Sequence, residues 1–137
     1  MSEVEILRSP LLNHGLGTPK NDFVVHENIA EPGPPGQPRR GVPLHRHRTE
    51  DEAWYVLEGA LRFQYGSREF DAPAGSGILL PRGTQHTFWN AGTKPARYLL
   101  IAGPKTAALL EVLHGPHRPP PSGLRELYAS HDVDYLE

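Results

Sequence analysis

The sequence predicts an all-β fold, an antiparallel sandwich or barrel whose end is covered by short C-terminal helices. Three observations carry that expectation. Short runs rich in β-branched and aromatic residues recur through the middle of the chain. Turn signals bound most of them, at Glu58-Gly59, Tyr65-Gly66-Ser67, Ala74-Gly75 and Asn90-Ala91-Gly92-Thr93. After Pro104 the apolar spacing changes from that of a strand to that of a helix.

Taken in order, the runs at 22–29, 53–58, 60–65, 68–71, 76–80, 84–90 and 96–102 each have the length of a strand. Between the first and the second lies 31–41 (EPGPPGQPRRG), too rich in proline for a central strand. It reads as a surface excursion in preference to a flap over the barrel mouth. Helices are expected over 104–114, where Ala107, Leu110 and Leu113-His114 share a spacing and proline occupies a favoured start, and over 124–130. A second proline-rich loop, 115–123, separates them. All 137 residues read as one domain with its core over 42–102, since this length supports one good core but not two.

The bulk composition narrows the function classes. With 14 basic and 16 acidic residues the net charge is −2, and no block of like charge marks a nucleic-acid partner. Nowhere do about eighteen apolar residues run together, so no membrane span is expected. The N-terminus starts acidic and lacks the apolar stretch of a secretory signal, which makes the cytoplasm the expected compartment. The chain has no cysteine. Any metal must therefore be held by imidazole and oxygen, a ligand set that suits iron, manganese, nickel, cobalt, copper or zinc.

Those donors are concentrated in one place. His45 and His47 are separated by one residue, so on a strand both imidazoles point to one face. Glu52 follows a short connection and opens the next strand, sharing its face with Trp54 and Val56. His86 sits on a later strand beside Phe88 and Asn90 on its own face. If the sheet closes, these faces line one interior, and three imidazoles with a carboxylate make a divalent-metal site with open positions. A His-x-His pair followed by RTEDE is also what a salt-bridged surface hairpin looks like. Glu50 and Asp51 are competing carboxylates by proximity.

The order and spacing of these residues resemble the two motifs of the cupin superfamily, in particular the small quercetin-dioxygenase-like members. The first reads His45-Arg46-His47, four residues, Glu52, six residues, Gly59. The second reads Gly75, five residues, Pro81-Arg82-Gly83, two residues, His86, three residues, Asn90. Fifteen residues separate them. One departure stands: the family's glycine six positions before the first histidine is missing, the nearby glycines being Gly36 and Gly41. The resemblance covers roughly 42–102. It implies a cupin or jelly-roll barrel, one divalent metal on His45, His47, Glu52 and His86, and a homodimer.

The same resemblance leaves the reaction open. An oxygenase acting on a small apolar or ring-bearing molecule is the leading expectation, with Glu52 able to detach as a base. A non-redox cyclase or isomerase of a polyketide- or sugar-like metabolite, and a barrel that binds a small molecule without turnover, are the alternatives. Trp54, Phe63, Tyr65, Gln85 and Phe88 are candidates for the pocket wall, with ordinary core packing the competing role for the aromatics. His14, His26, His114, His117 and His131 match no motif position. Under strict alternation Tyr55 and Trp89 point outward, where they would mark a sheet-to-sheet dimer contact.

Overall fold

The alternation read from the sequence is realised most fully in the strands nearest the centre. In the computed structural model, which describes residues 4–8, 11, 15–34 and 42–137, β3 (Glu52–Glu58) buries Glu52, Trp54 and Val56 and turns Tyr55 outward. Strand β8 (Ala96–Ala102) buries every second residue from Ala96 to Ala102. The other strands are β1 (Val24–Ala30), β2 (His45–His47), β4 (Ala60–Tyr65), β5 (Arg68–Pro73), β6 (Gly77–Leu80), β7 (His86–Trp89) and β9 (Val133–Tyr135). They form two antiparallel sheets, ordered β1-β8-β3-β6 and β5-β4-β7-β2-β9. The sheets face each other without being hydrogen-bonded into a closed barrel, so the expected barrel is an open two-sheet jelly roll.

Aromatic side chains join the two inner faces. Trp54 of one sheet meets Phe63 and Phe88 of the other at ring separations of 5.1 and 5.5 Å. Phe63 stacks in turn on Phe70 at 5.3 Å. Each such side chain contributes about 2–3 kcal/mol by leaving water. They fill the interior between β3 and β4, and the free space is left on the side where the helices lie.

Helix α1 (Pro104–Leu113) starts on proline, as its sequence implies, and α2 (Leu124–Ala129) follows a single 3-10 turn at Pro121–Gly123. Leu109, Tyr128 and Val133 make a second small core with Leu113, Leu124, Leu127 and Tyr135. Strand β9 has no counterpart among the expected elements. It is three residues long and exists by pairing with β2, His45 opposite Tyr135 and His47 opposite Val133. The ionic contacts of Arg46 and Arg48 with Asp134 brace the same pairing.

The outer face of β7 departs from strict alternation. All four of its residues are buried, Trp89 included. The chain entering β2 crosses behind it, where Thr87 donates to the Val42 carbonyl at 2.6 Å. The expectation that Trp89 forms an outward dimer patch is therefore corrected, whereas Tyr55 is 45% exposed as expected. Most of the proline-rich loop, residues 35–41, and His14 lie outside the described residues. At the near end of that loop, Pro32 bridges to Asn90.

Two glycines set the path of the motif strands. Gly59 turns β3 into β4 at φ +73, and a Cβ there would come within 3.1 Å of the Ala96 backbone. Gly83, at φ +86, donates its amide to the His47 carbonyl at 2.7 Å, tying the turn before His86 to the first histidine strand.

Candidate metal centre

The four motif residues meet. One donor atom each from His45, His47, Glu52 and His86 lies within 4.8 Å of all the others, and all four residues are buried. Three strands deliver them: β2 the histidine pair, β3 the carboxylate and β7 the last histidine. His45 and His86 face each other as register partners, their rings 4.3 Å apart.

Each imidazole is oriented by an oxygen behind it. His45 Nδ1 lies 2.7 Å from the Pro43 carbonyl and His86 Nδ1 lies 3.0 Å from the Thr84 carbonyl. A carbonyl only accepts, so each Nδ1 carries a proton and each ring turns its Nε2 edge into the cluster. His47 Nδ1 is held by Thr106 Oγ1 at 3.1 Å, and that hydroxyl donates to Glu50 Oε1 at 2.8 Å.

Glu50 thus has an assigned place that is not the metal. Its carboxylate caps the start of α1, accepting the amides of Lys105 and Thr106 at 2.9 and 2.8 Å. Gly103 leaves room for it, because a Cβ there would stand 2.5 Å from the Glu50 carboxyl carbon. Asp51 is also occupied, by the Arg82 side chain and amide. Glu52 alone of the three acidic residues enters the cluster.

The charges are balanced for a cation. Burial drives the His45 imidazole down to about 4, aided by neighbouring His86, so it is neutral at physiological pH. Burial pushes His47 the same way, but contact with Glu52 and the charges of Glu52 and Glu50 outweigh it and raise the imidazole above its ordinary value. For Glu52 burial favours the neutral acid, yet His47 and His86 overcome this and hold the carboxyl well below the usual range. Glu52 Oε1 lies 3.1 Å from His86 Nε2. His47 Nε2 lies 3.4 Å from the same oxygen and is buried without a hydrogen bond. A buried donor set with an orphaned nitrogen, three oriented imidazoles and one ionised carboxylate fits a divalent transition metal. These four residues could hold one; their chemistry does not select which.

A cavity of about 330 Å³ opens on the cluster. His45, His47 and Glu52 form its polar end, while Phe88, Leu100, Leu109, Leu110 and Leu113 supply much of the wall. Among the described residues no lysine or arginine lines it. Of the five residues expected on this wall, Phe88 is there. Trp54 and Phe63 are packed in the core, Tyr65 lies partly buried against it, and Gln85 is exposed. The wall residues that sequence reasoning missed are Tyr98 and Leu100 of β8, the leucines of α1, and Tyr128 of α2. The first two were implicit in the alternation of β8. Tyr128 reaches the cavity only because β9 folds the C-terminal segment back onto β2, and no local signal marks it.

Residues 35–102 match the Cupin_2 family model, described as a cupin domain. The chain carries a cupin domain. A sugar phosphate isomerase of the cupin superfamily from Silicibacter pomeroyi is 28% identical, with a TM-score of 0.53 over 61% of this chain and 51% of that one. A protein with a double-stranded beta-helix domain from Klebsiella pneumoniae shares the fold at 22% identity, with a TM-score of 0.56 over 76% of this chain and 85% of the other. Among curated proteins, an uncharacterized protein of Methanocaldococcus jannaschii is 33% identical over 61 residues, 44% of this chain. The chain spans about half the length of that relative, 49%, and of the isomerase. The cupin match ends at β8, so α1, α2 and β9, which close the cavity and brace β2, lie beyond it. Among the described residues no helix is long and apolar enough to cross a membrane.

Proposed function

We propose that this cupin is a metal-dependent oxygenase acting on a small, uncharged molecule with an apolar body. The observation that carries the reading is the cavity wall: mostly apolar, without lysine or arginine among the described residues, and open to the four-residue cluster. Such a wall favours an apolar body and dioxygen, and away from the cluster its described residues hold no lysine or arginine to pair a phosphate or carboxylate. His45, His47, Glu52 and His86 would hold the metal. When bound there it supplies open coordination positions and, if redox-active, one-electron chemistry toward dioxygen. Glu52 contributes the negative charge of the set and faces the cavity, where it is placed to take a proton from bound substrate. The wall formed by α1 keeps water from the substrate.

The test is dioxygen uptake by the protein loaded in turn with iron, manganese, cobalt and nickel, across small apolar compounds. Substrate-dependent uptake by at least one metal form is expected; background rates throughout would overturn the reading. A non-redox isomerase is the second reading, favoured by the likeness to the Silicibacter enzyme. Its substrate would have to be unphosphorylated, given the wall, and anaerobic conversion by the zinc form would identify it. Ligand binding with no turnover under either condition would leave a binding cupin.

The assembly we propose is a homodimer through the outer face of the β1-β8-β3-β6 sheet. Tyr55 and Leu79, on adjacent strands, are 45% and 65% exposed on that face. Light scattering coupled to size exclusion measures this directly, and a monomer at micromolar concentration would contradict it.

A further inference from the structure

Two phenols in the cavity are used neither for metal ligation nor for orienting the imidazoles. Tyr98 projects from β8 and Tyr128 from α2, only 7% and 5% exposed, and both line the cavity. The Tyr128 ring stands edge-on to that of His45 at 6.3 Å. Tyr98 packs edge-on against Phe88 at 5.5 Å and is hydrogen-bonded to the Asn28 side chain in a way that favours negative charge on its oxygen. A phenol has one proton to donate and lone pairs to accept with, so Tyr98 can serve a second partner beside Asn28.

Burial pushes both phenols up, Tyr128 to about 12, with the Glu52 charge adding to the shift in each. A phenol carries its proton at physiological pH in any case, so both side chains have an O–H to donate. Among the other polar groups of the wall, Thr106 donates to Glu50 and His114 is exposed at the rim. An oxygen carried into this cavity gives up its bonds to water, and leaving it unmatched opposes binding. Hydrocarbon walls cannot offset that, whereas the two hydroxyls can.

We propose that Tyr98 and Tyr128 are the substrate-binding donors of this site, and that its substrate is uncharged and presents an acceptor oxygen from an apolar body. The inference rests on reading the cavity as the substrate site. It places part of the specificity on α2, beyond the matched cupin region, since Tyr128 belongs to the C-terminal segment.

Two fluorinated probes that differ in the acceptor test it: 4-fluoroacetophenone, which carries a carbonyl, and 4-fluorotoluene, which does not. Fluorine NMR on the zinc-loaded protein gives the affinity of each. The wild type should prefer the ketone, and Tyr98→Phe and Tyr128→Phe should each weaken ketone binding about five- to tenfold. Binding of the toluene should not change, and zinc content and circular dichroism should stay at wild-type levels. Equal binding of both probes by the wild type, or a preference surviving both substitutions together, overturns the proposal while leaving the cavity a binding site. If the wild type binds neither probe, the reading of the cavity falls and this inference with it.

Discussion

Glu52 and the His45–His47 pair reach the same centre from strands held in opposite ways. Strand β3 is seven residues long and is paired with β8 on one side and β6 on the other. Strand β2 is three residues long, touches β7 at the single pair His45–His86, and draws its other partner, β9, from the end of the chain. The carboxylate is placed by the sandwich itself. The two imidazoles are placed jointly by the sandwich and by a C-terminal segment outside the cupin match. Ligand identity and ligand positioning are thus distributed over different stretches of sequence, and each can be broken without the other.

The largest effect should come from the ligands. His47→Ala or His86→Ala should abolish stoichiometric metal binding, read by elemental analysis, with the two sheets still folded by circular dichroism. Full metal content in either variant would refute the assignment. Next comes the support behind one ligand. Thr106→Val removes the oxygen that orients His47 and should lower metal affinity about 10- to 100-fold, whereas Thr106→Ser keeps the hydroxyl and should restore it. Chelator competition measures both, and equal affinities for the valine and serine variants would show that Thr106 only packs.

The pH response sharpens the same contrast between neighbouring histidines. His47 is raised above its ordinary value by Glu52 and Glu50, so the metal-free protein retains a proton there that must leave when metal binds. Metal affinity should fall by about tenfold per pH unit below that point. His45, depressed to about 4 chiefly by burial, adds no further loss until far lower pH. In the metal-free fold the two act in opposite directions on stability. The unfolded chain protonates His45 near 6.5 while the folded one does not, so its contribution is present above 6.5 and is lost as pH falls toward 4. The His47 contribution is present below 6.5 and is lost as pH rises through its raised value. NMR titration of the two imidazoles should find them on opposite sides of 6.5; a common midpoint would contradict this.

What the sequence disclosed follows the same division. The convergence of the four cluster residues and the turns around them were legible because His-x-His, the Gly59 turn and Pro81-Arg82-Gly83 each encode a local requirement of backbone or face. The two-sheet arrangement followed from alternation, as in β3 and β8. Closure was not legible, since whether edge strands meet depends on twist and on what covers them. Burial of Trp89 was hidden for a related reason: alternation says nothing about what lies across a face. The assignment of Glu50 required knowing that α1 begins beside it. Strand β9 offered three residues, Val133, Asp134 and Tyr135, too few for a periodic signal. Its existence is a tertiary event, and with it went the chance of finding Tyr128.

The smallest predicted effect isolates that tertiary event. Val133 and Val56 are both fully buried, one in the small C-terminal core and one in the sandwich. Truncating either to alanine removes two buried methyl groups and should cost about 2 kcal/mol in denaturant unfolding. Val56 lies four residues from Glu52 on the same face of β3, with Trp54 between them, so Val56→Ala should leave metal affinity unchanged. Val133 is the register partner of His47, so Val133→Ala should loosen β2 and weaken metal binding a few-fold. The decisive quantity is the ratio of the two affinities at matched stability loss. A ratio near one would mean that β2 is placed by the sandwich alone, and that the C-terminal segment closes the cavity without positioning the ligands.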